Sequence, residues 1–260
     1  MQMTSEPRVV AWFSCGAASA AAARVALEKY GDRCVVVYCD TMASEHPDNA
    51  RFMVDVERWL GVKVIRLKDK WTKVDEVFAA RQYMSGITGA CCTVAMKKVP
   101  RFKFQRADDI HVFGFTADEG DRIKDFETDN FDMALEWPLR DRGMTKEDCF
   151  TLLRGAGIVL PTMYTLGYRN NNCIGCVKAS SRAYWSKIQH DFPDVFAERA
   201  RQSREIGCRL VRVNGERVFL DEMPTGVWKR GKMENISCGP ECGGERMPPI
   251  TDPLDSLYGL

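Results

Sequence analysis

Apolar residues cluster along the chain in short runs separated by amphipathic stretches. Residues 8–13 (RVVAWF), 34–39 (CVVVYC), 62–67 (VKVIRL) and 110–115 (IHVFGF) are brief, β-branched and nearly continuous, as strands covered on both faces are. Between them apolar positions recur at helical spacing over 17–29 and 47–60, and less regularly over 73–82 and 95–105. Alternating buried strands and helices predict a parallel sheet with helices on both sides, a doubly wound α/β fold. Ligands in such sheets bind at the carboxyl ends of the strands, where the strand order reverses. The loops 14–19, 40–46 and 116–121 fall at such ends.

Further on, TKEDCFTLLRGAG (145–157) predicts a helix capped by Thr145, with Asp148 closing a capping box and Gly155 or Gly157 as the stop. RLVRVNGERVFLDE (209–222) predicts a hairpin turning at Asn214-Gly215. The last forty residues mix Gly, Pro, Cys and charge with little periodicity and predict a tail. The expected organisation is an α/β domain over 1–180, to which the resemblance described below adds nucleotide binding, then an extension of helices, hairpin and cysteine-bearing tail over 181–260.

A formal charge of +1 on 260 residues gives no global field toward nucleic acid or membrane. No apolar run approaches the ~20 residues of a membrane helix. MQMTSEPR lacks a signal-type apolar stretch, so a cytoplasmic protein is expected. Eleven cysteines change the picture. An odd count without export signals argues against a disulfide framework and for metal or redox use. Cys34, Cys39, Cys149 and Cys208 sit singly in apolar or helical patterns and read as small core residues. His46, His111 and His190 are scattered without metal spacing and read as structural or surface.

SCGAAS (14–19) lies between a strand and a helix, where small residues let backbone amides approach an anion. Asp40-Thr41 ends the second strand, before Pro47-Asp48 opens a helix. FGFTADEGDR (113–122) forms a third loop. NNNCIGCVKAS (171–180) carries a C-x-x-C, Cys173 and Cys176, and GACCTVAMKKVP (89–100) carries Cys91-Cys92. Two thiolates on one turn can share a metal centre, which further cysteines would complete.

Together these motifs resemble the adenine-nucleotide alpha-hydrolase superfamily, in its phosphoadenylyl-sulfate reductase branch, over residues 8 to about 180. Ser14, Gly16 and Ser19 match its S-G-G-x-D-S loop. Asp40 and Thr41 match its D-T-G element, with Met42 replacing the glycine. Gly114, Glu119 and Arg122 match its G-x-R-x-x-E-S-arginine element, with Thr116 replacing the first arginine. The resemblance implies an adenine nucleotide held by loop amides at Ser14, Cys15, Gly16, Ala17 and Ser19. Its charge would be offset by cations such as Lys97, Lys98, Arg101 and Arg122. ATP-splitting members keep an acid and usually a lysine where this chain has Ala17 and Ala18, so binding without ATP cleavage is expected.

The cysteines resemble the C-C…C-x-x-C set of assimilatory adenylyl-sulfate reductases, which implies a [4Fe–4S] cluster, with zinc as the alternative. The family's lysine and proline offsets are kept by Lys97 and Pro100 relative to Cys92, not Cys91. The implied ligands are Cys92, Cys173 and Cys176; the fourth is Cys91 after a register shift, or is absent. Glu241, Cys242 and Gly243 match the start of the family's tail motif E-C-G-L-H. Cys242 is thus one candidate nucleophile, and Cys238, also followed by glycine, is another; the alternatives for the two are an incidental pair or two further metal ligands. The implied activity is a sulfonucleotide (APS/PAPS) reductase whose tail cysteine attacks sulfur and whose sulfite is released by a thioredoxin- or glutaredoxin-type reductant. Two alternatives stand: an ATP-pyrophosphatase-type sulfur transferase acting on tRNA or DNA, which alone would bring in nucleic acid, and a non-catalytic nucleotide- and cluster-binding protein. An oligomer is compatible with any of these.

Overall fold

The structure, a computed structural model, describes residues 6–87, 89–224 and 233–238. Its centre is a five-stranded sheet of β1 (Val9–Phe13), β2 (Cys34–Cys39), β3 (Ile65–Leu67), β4 (Ile110–Val112) and β5 (Ala134–Glu136). The spatial order is β3-β2-β1-β4-β5 and every pairing is parallel. Val9 pairs with Cys34 on one side and with Ile110 on the other, so the order reverses at β1. The doubly wound α/β expectation holds, and the reversal places the carboxyl ends of β1 and β4 side by side.

The period-two alternation of β1 divides the core. Val9, Ala11 and Phe13 pack with α1 (Ala17–Tyr30), α2 (Asn49–Leu60) and α5 (Lys146–Gly155). Val10 and Trp12 pack on the opposite face with Phe113, Phe115 and Trp137 and with Ile123 and Phe126 of α4 (Gly120–Asp129). The buried run Ala20–Ala23 lets α1 lie close on the sheet. Among the described residues no helix is long and apolar enough to cross a membrane.

A second core joins α3 (Val74–Arg81) and residues 84–96 to α6 (Arg182–Asp191), α7 (Pro193–Ile206) and the hairpin of Val211–Val213 and Glu216–Val218. Cys173 and Cys176 lie within it. The extension therefore shares a core with residues far upstream, and residue 181 is not a packing boundary. Asn214 and Gly215 take positive φ of 51° and 90° at the hairpin turn, as a two-residue turn requires.

Several boundaries differ from expectation. The third strand shrinks to Ile65–Leu67, and the fourth stops at Val112, since Phe113 and Phe115 leave the sheet to fill the core. β5 carried no run long enough to read. The helix expected over 95–105 starts earlier, as Cys91–Thr93, a π-turn Val94–Lys98 and Val99–Phe104 in succession. The helix after Thr145 is capped as expected, with the Asp148 amide donating to Thr145 Oγ1 at 3.3 Å and the Thr145 amide to Asp148 Oδ2 at 2.8 Å.

Candidate functional site

The Ser14–Ser19 loop is built without charge. The Ser14 amide and hydroxyl both donate to Ser19 Oγ, at 3.0 and 3.1 Å, and Ser19 Oγ donates to the Gly16 carbonyl at 2.9 Å. The Ala17 amide donates to the Tyr164 hydroxyl at 3.3 Å. Cys15 takes φ +56° and turns its thiol into the core, 3.9 Å from the Asn49 carbonyl. Burial pushes that thiol well above its usual range, so Cys15 is a turn residue with an inert side chain. Gly114, just past β4, is forced by proximity: a Cβ there would stand 2.7 Å from Ser19 N and Cα.

These two strand ends open into a cavity of about 300 Å³. Ser14, Gly16, Ala18 and Ser19 form one wall, and Gly114, Thr116, Glu119 and Arg122 another. Glu45, Lys97, Lys146, Tyr164, Arg169 and the triplet Asn170–Asn172 close the far side, with residues 235–238 across it. Of the predicted binding residues, Ser14, Gly16, Ser19, Lys97, Gly114, Glu119 and Arg122 line the cavity; Cys15, Ala17, Asp40, Thr41 and Arg101 do not. Asp40 instead pairs with Arg66 at 2.9 Å, and Thr41 donates to Glu45 at 2.6 Å. Arg101 is buried one turn beyond Lys97, with its guanidinium carbon 4.7 Å from the centre of the Phe102 ring. Thr116, where an arginine was expected, caps its own turn through Glu119.

Four cations and four carboxylates line the cavity, but they are not equally placed. Arg122 pairs with Glu119 and also donates to Ser237 Oγ. Glu119 and Asp118 are further engaged by Thr116. Glu45 accepts from Thr41 and from Asn49 at 2.7 Å, and burial pushes its carboxyl up against the opposing pull of Lys97. Among the described residues, Lys146 donates to two neutral oxygens, the Arg169 carbonyl and Asn170 Oδ1, and sits 5.4 Å from the Tyr164 ring centre. Burial, then the neighbouring Arg169, lowers its ammonium to about 8. Lys146 and Arg169 are thus adjacent cations beside the triplet of amides.

The thiols gather at the end of the cavity marked by Lys97 and Cys238. Cys92, Cys173, Cys176 and Cys238 all act on one another electrostatically. Cys176 hydrogen-bonds to Cys238, and this bond, with Lys97 and Lys178, lowers the Cys238 thiol well below its usual range against the opposing effect of burial. Burial pushes Cys92 up to about 12 and Cys173 well up. Lys97 Nζ reaches the Cys238 carbonyl and lies 3.6 Å from its sulfur. Cys91 turns away, its thiol 2.9 Å from the Tyr83 carbonyl. The C-x-x-C turn is fixed by Tyr184, whose hydroxyl accepts from the Cys176 amide at 2.8 Å, and by Trp185, which donates to the Ala179 carbonyl at 3.0 Å. Among the described residues no three His, Cys, Asp or Glu donors close around a single ion. An iron–sulfur core carries its thiolates on separate irons, so it requires a wider set than one ion does, and an all-cysteine set suits it chemically. Cys242 lies outside the described residues.

Cys34, Cys39 and Cys149 are buried as expected, and Cys208 is half-buried. His111 is a core residue that accepts from Trp12 Nε1 at 3.0 Å, with burial lowering it to about 4. The sequence reading missed Glu45, Lys146, Tyr164, Arg169 and the asparagines. The run of three asparagines directly before the C-x-x-C was the available signal. Compared with models of known protein families, the chain matches none, and compared with curated proteins it also matches none.

Proposed function

We propose that the chain is a sulfonucleotide reductase-like enzyme, binding an adenine nucleotide that carries a phosphosulfate. The observation that carries this reading is a cavity at the reversal of a parallel sheet that ends on a lysine-flanked group of cysteines. The first-turn amides of α1 have no partner within the helix, and with Ala17 engaged by Tyr164 those of Ala18 and Ser19 are suited to a phosphate oxygen. Lys146, Arg169 and Arg122 supply charge-assisted hydrogen bonds to the anion. Ala17 and Ala18 leave the loop without the acid and lysine of ATP cleavage.

In this reading a tail thiolate, Cys242 or Cys238, attacks the sulfonate sulfur. A sulfur–sulfur bond forms, the sulfur–oxygen bond to the phosphate breaks, and the nucleotide leaves with the electron pair. A thioredoxin- or glutaredoxin-type dithiol then attacks the cysteine sulfur, releasing sulfite and becoming the disulfide, so that two electrons pass from dithiol to substrate. A [4Fe–4S] centre held by Cys92, Cys173 and Cys176 would tune the site electrostatically and need not transfer electrons.

The test is an anaerobic assay of sulfite release from both sulfonucleotides with thioredoxin, run beside pyrophosphate release from ATP. Sulfite from one of them, abolished in Cys242→Ser or Cys238→Ser, is expected. Pyrophosphate without sulfite, or neither product, overturns the proposal.

A further inference from the structure

Residues 233–238 are bound along the segment that carries the C-x-x-C. Glu234 accepts from the amides of Ser180 and Ser181 at 2.9 and 2.8 Å and from the Ser180 hydroxyl at 3.1 Å. The Asn170 amide donates to Asn235 Oδ1 and to the Ile236 carbonyl, at 2.8 and 2.9 Å, and Asn172 donates to the same carbonyl at 2.8 Å. Lys178 Nζ donates to the Ser237 carbonyl at 3.3 Å. The segment is thereby anchored on both flanks of Cys173 and Cys176, and its end delivers the Cys238 side chain to them.

We propose that Cys238 is the fourth thiolate ligand of the metal centre, completing Cys92, Cys173 and Cys176, and that Cys91 is not a ligand. The proposal rests on the reading that this chain holds a cysteine-ligated centre. Three observations carry it. Cys176 hydrogen-bonds to Cys238, and Cys173 and Cys176 lie in one core with Cys92 packed against it, whereas the Cys91 thiol is directed to the Tyr83 carbonyl at 2.9 Å. Hydrogen bonds to Glu234, Asn235, Ile236 and Ser237 fix the approach of Cys238 over four successive residues, which suits a ligand and not a side chain that must swing to substrate. Lys97, 3.6 Å from the Cys238 sulfur, and Lys178 give an all-thiolate set the counter-charge it needs in a buried site. The nucleophile of the proposed reaction is then Cys242, and Cys238 is the one ligand of the four that also lines the cavity.

The experiment uses anaerobically purified full-length protein. Iron, acid-labile sulfide and zinc are counted, and electron paramagnetic resonance spectra recorded, for the wild type and for Cys238→Ala, Cys91→Ala and Cys242→Ala. Wild type, Cys91→Ala and Cys242→Ala are expected to hold four irons per chain with the same spectrum. Cys238→Ala is expected to lose one iron, giving a three-iron signal, or to lose the whole centre. In parallel, cysteine alkylation of the wild type is mapped by mass spectrometry before and after chelation, which requires no variant to fold. Cys238 should be protected together with Cys92, Cys173 and Cys176 and released with them, while Cys91 labels alike in both states. Full metal in Cys238→Ala, or Cys238 labelling at one rate with and without metal, overturns the assignment. If the wild type holds zinc and no iron, the cluster reading fails, and zinc retention across the same variants still decides whether Cys238 is a ligand. A wild type that binds neither metal overturns both.

Discussion

The Ser14–Ser19 loop and the 169–178 segment face one cavity and are built on opposite plans. The first closes its hydrogen bonds on itself, through Ser14, Ser19 and the Gly16 carbonyl, and presents no charge. The second presents Arg169, three asparagines, Lys178 and two thiols, and its polar groups reach other parts of the chain: Asn171 to Cys15 and Asn49, Asn170 and Asn172 to residues 235 and 236. One supplies shape and a helix N-terminus, the other charge and soft ligands. A loop can therefore keep a closed geometry without charge while a distant segment brings charge to the same cavity.

The comparison breaks most directly at the charged side. Replacing both Lys146 and Arg169 by Met should weaken AMP binding, measured by calorimetry, roughly tenfold to a thousandfold, since a hydrogen bond to a charged group is worth about 1.5–3 kcal/mol and exposed Arg169 falls below that range. Unchanged affinity would show that the loop side carries binding alone. On the shape side, Gly114→Ala drives a methyl to 2.7 Å from the Ser19 backbone. It should cost about 1–3 kcal/mol, read as a lower thermal midpoint. Gly155→Ala, at the end of a helix with open space around it, is the matched control and should be neutral or slightly stabilising.

A pH titration sharpens the charged side further. Lys146 is lowered to about 8 by burial and by Arg169, with Arg122 acting the same way and Asp118 and Cys149 opposing. It is a cation below that pH and neutral above it, so affinity for an anion should fall as pH rises from 7 to 9, by up to about tenfold. Lys146→Arg should flatten the profile, because guanidinium keeps its proton throughout. The smallest effect belongs to the loop itself. Ser19→Ala removes the atom on which Ser14 closes and should cost about 1 kcal/mol in urea unfolding.

The sheet was legible because its strands are continuous apolar runs and its helices keep their period. β5 was not, since three residues with Ala134 exposed carry no such signal. The thiol group was partly legible: Cys173 and Cys176 share a turn and Cys92 keeps a fixed offset from Lys97. For Cys238 the sequence left nucleophile, incidental residue and metal ligand open, because the bonds that join its segment to them run from side chains to backbone between distant segments, which leaves no spacing pattern. Lys146 was hidden inside a helix start read only for its cap, and Arg169 inside a loop without period. Asp40 and Thr41 matched by position and Arg101 was a candidate cation, yet Arg66, Glu45 and the interior take their side chains away from the cavity.

The π-turn Val94–Lys98 holds one residue more than an α-helical turn would, so the residues before it are rotated by about 100° relative to those after it. That extra residue governs which of two adjacent cysteines looks inward. Shortening the segment by a single residue would restore an unbroken α-helix and rotate Cys91 and Cys92 together about the axis, with Lys97 and Pro100 left in place. Between otherwise alike chains, a length difference of one codon here would exchange the inward cysteine without altering any cysteine in the sequence.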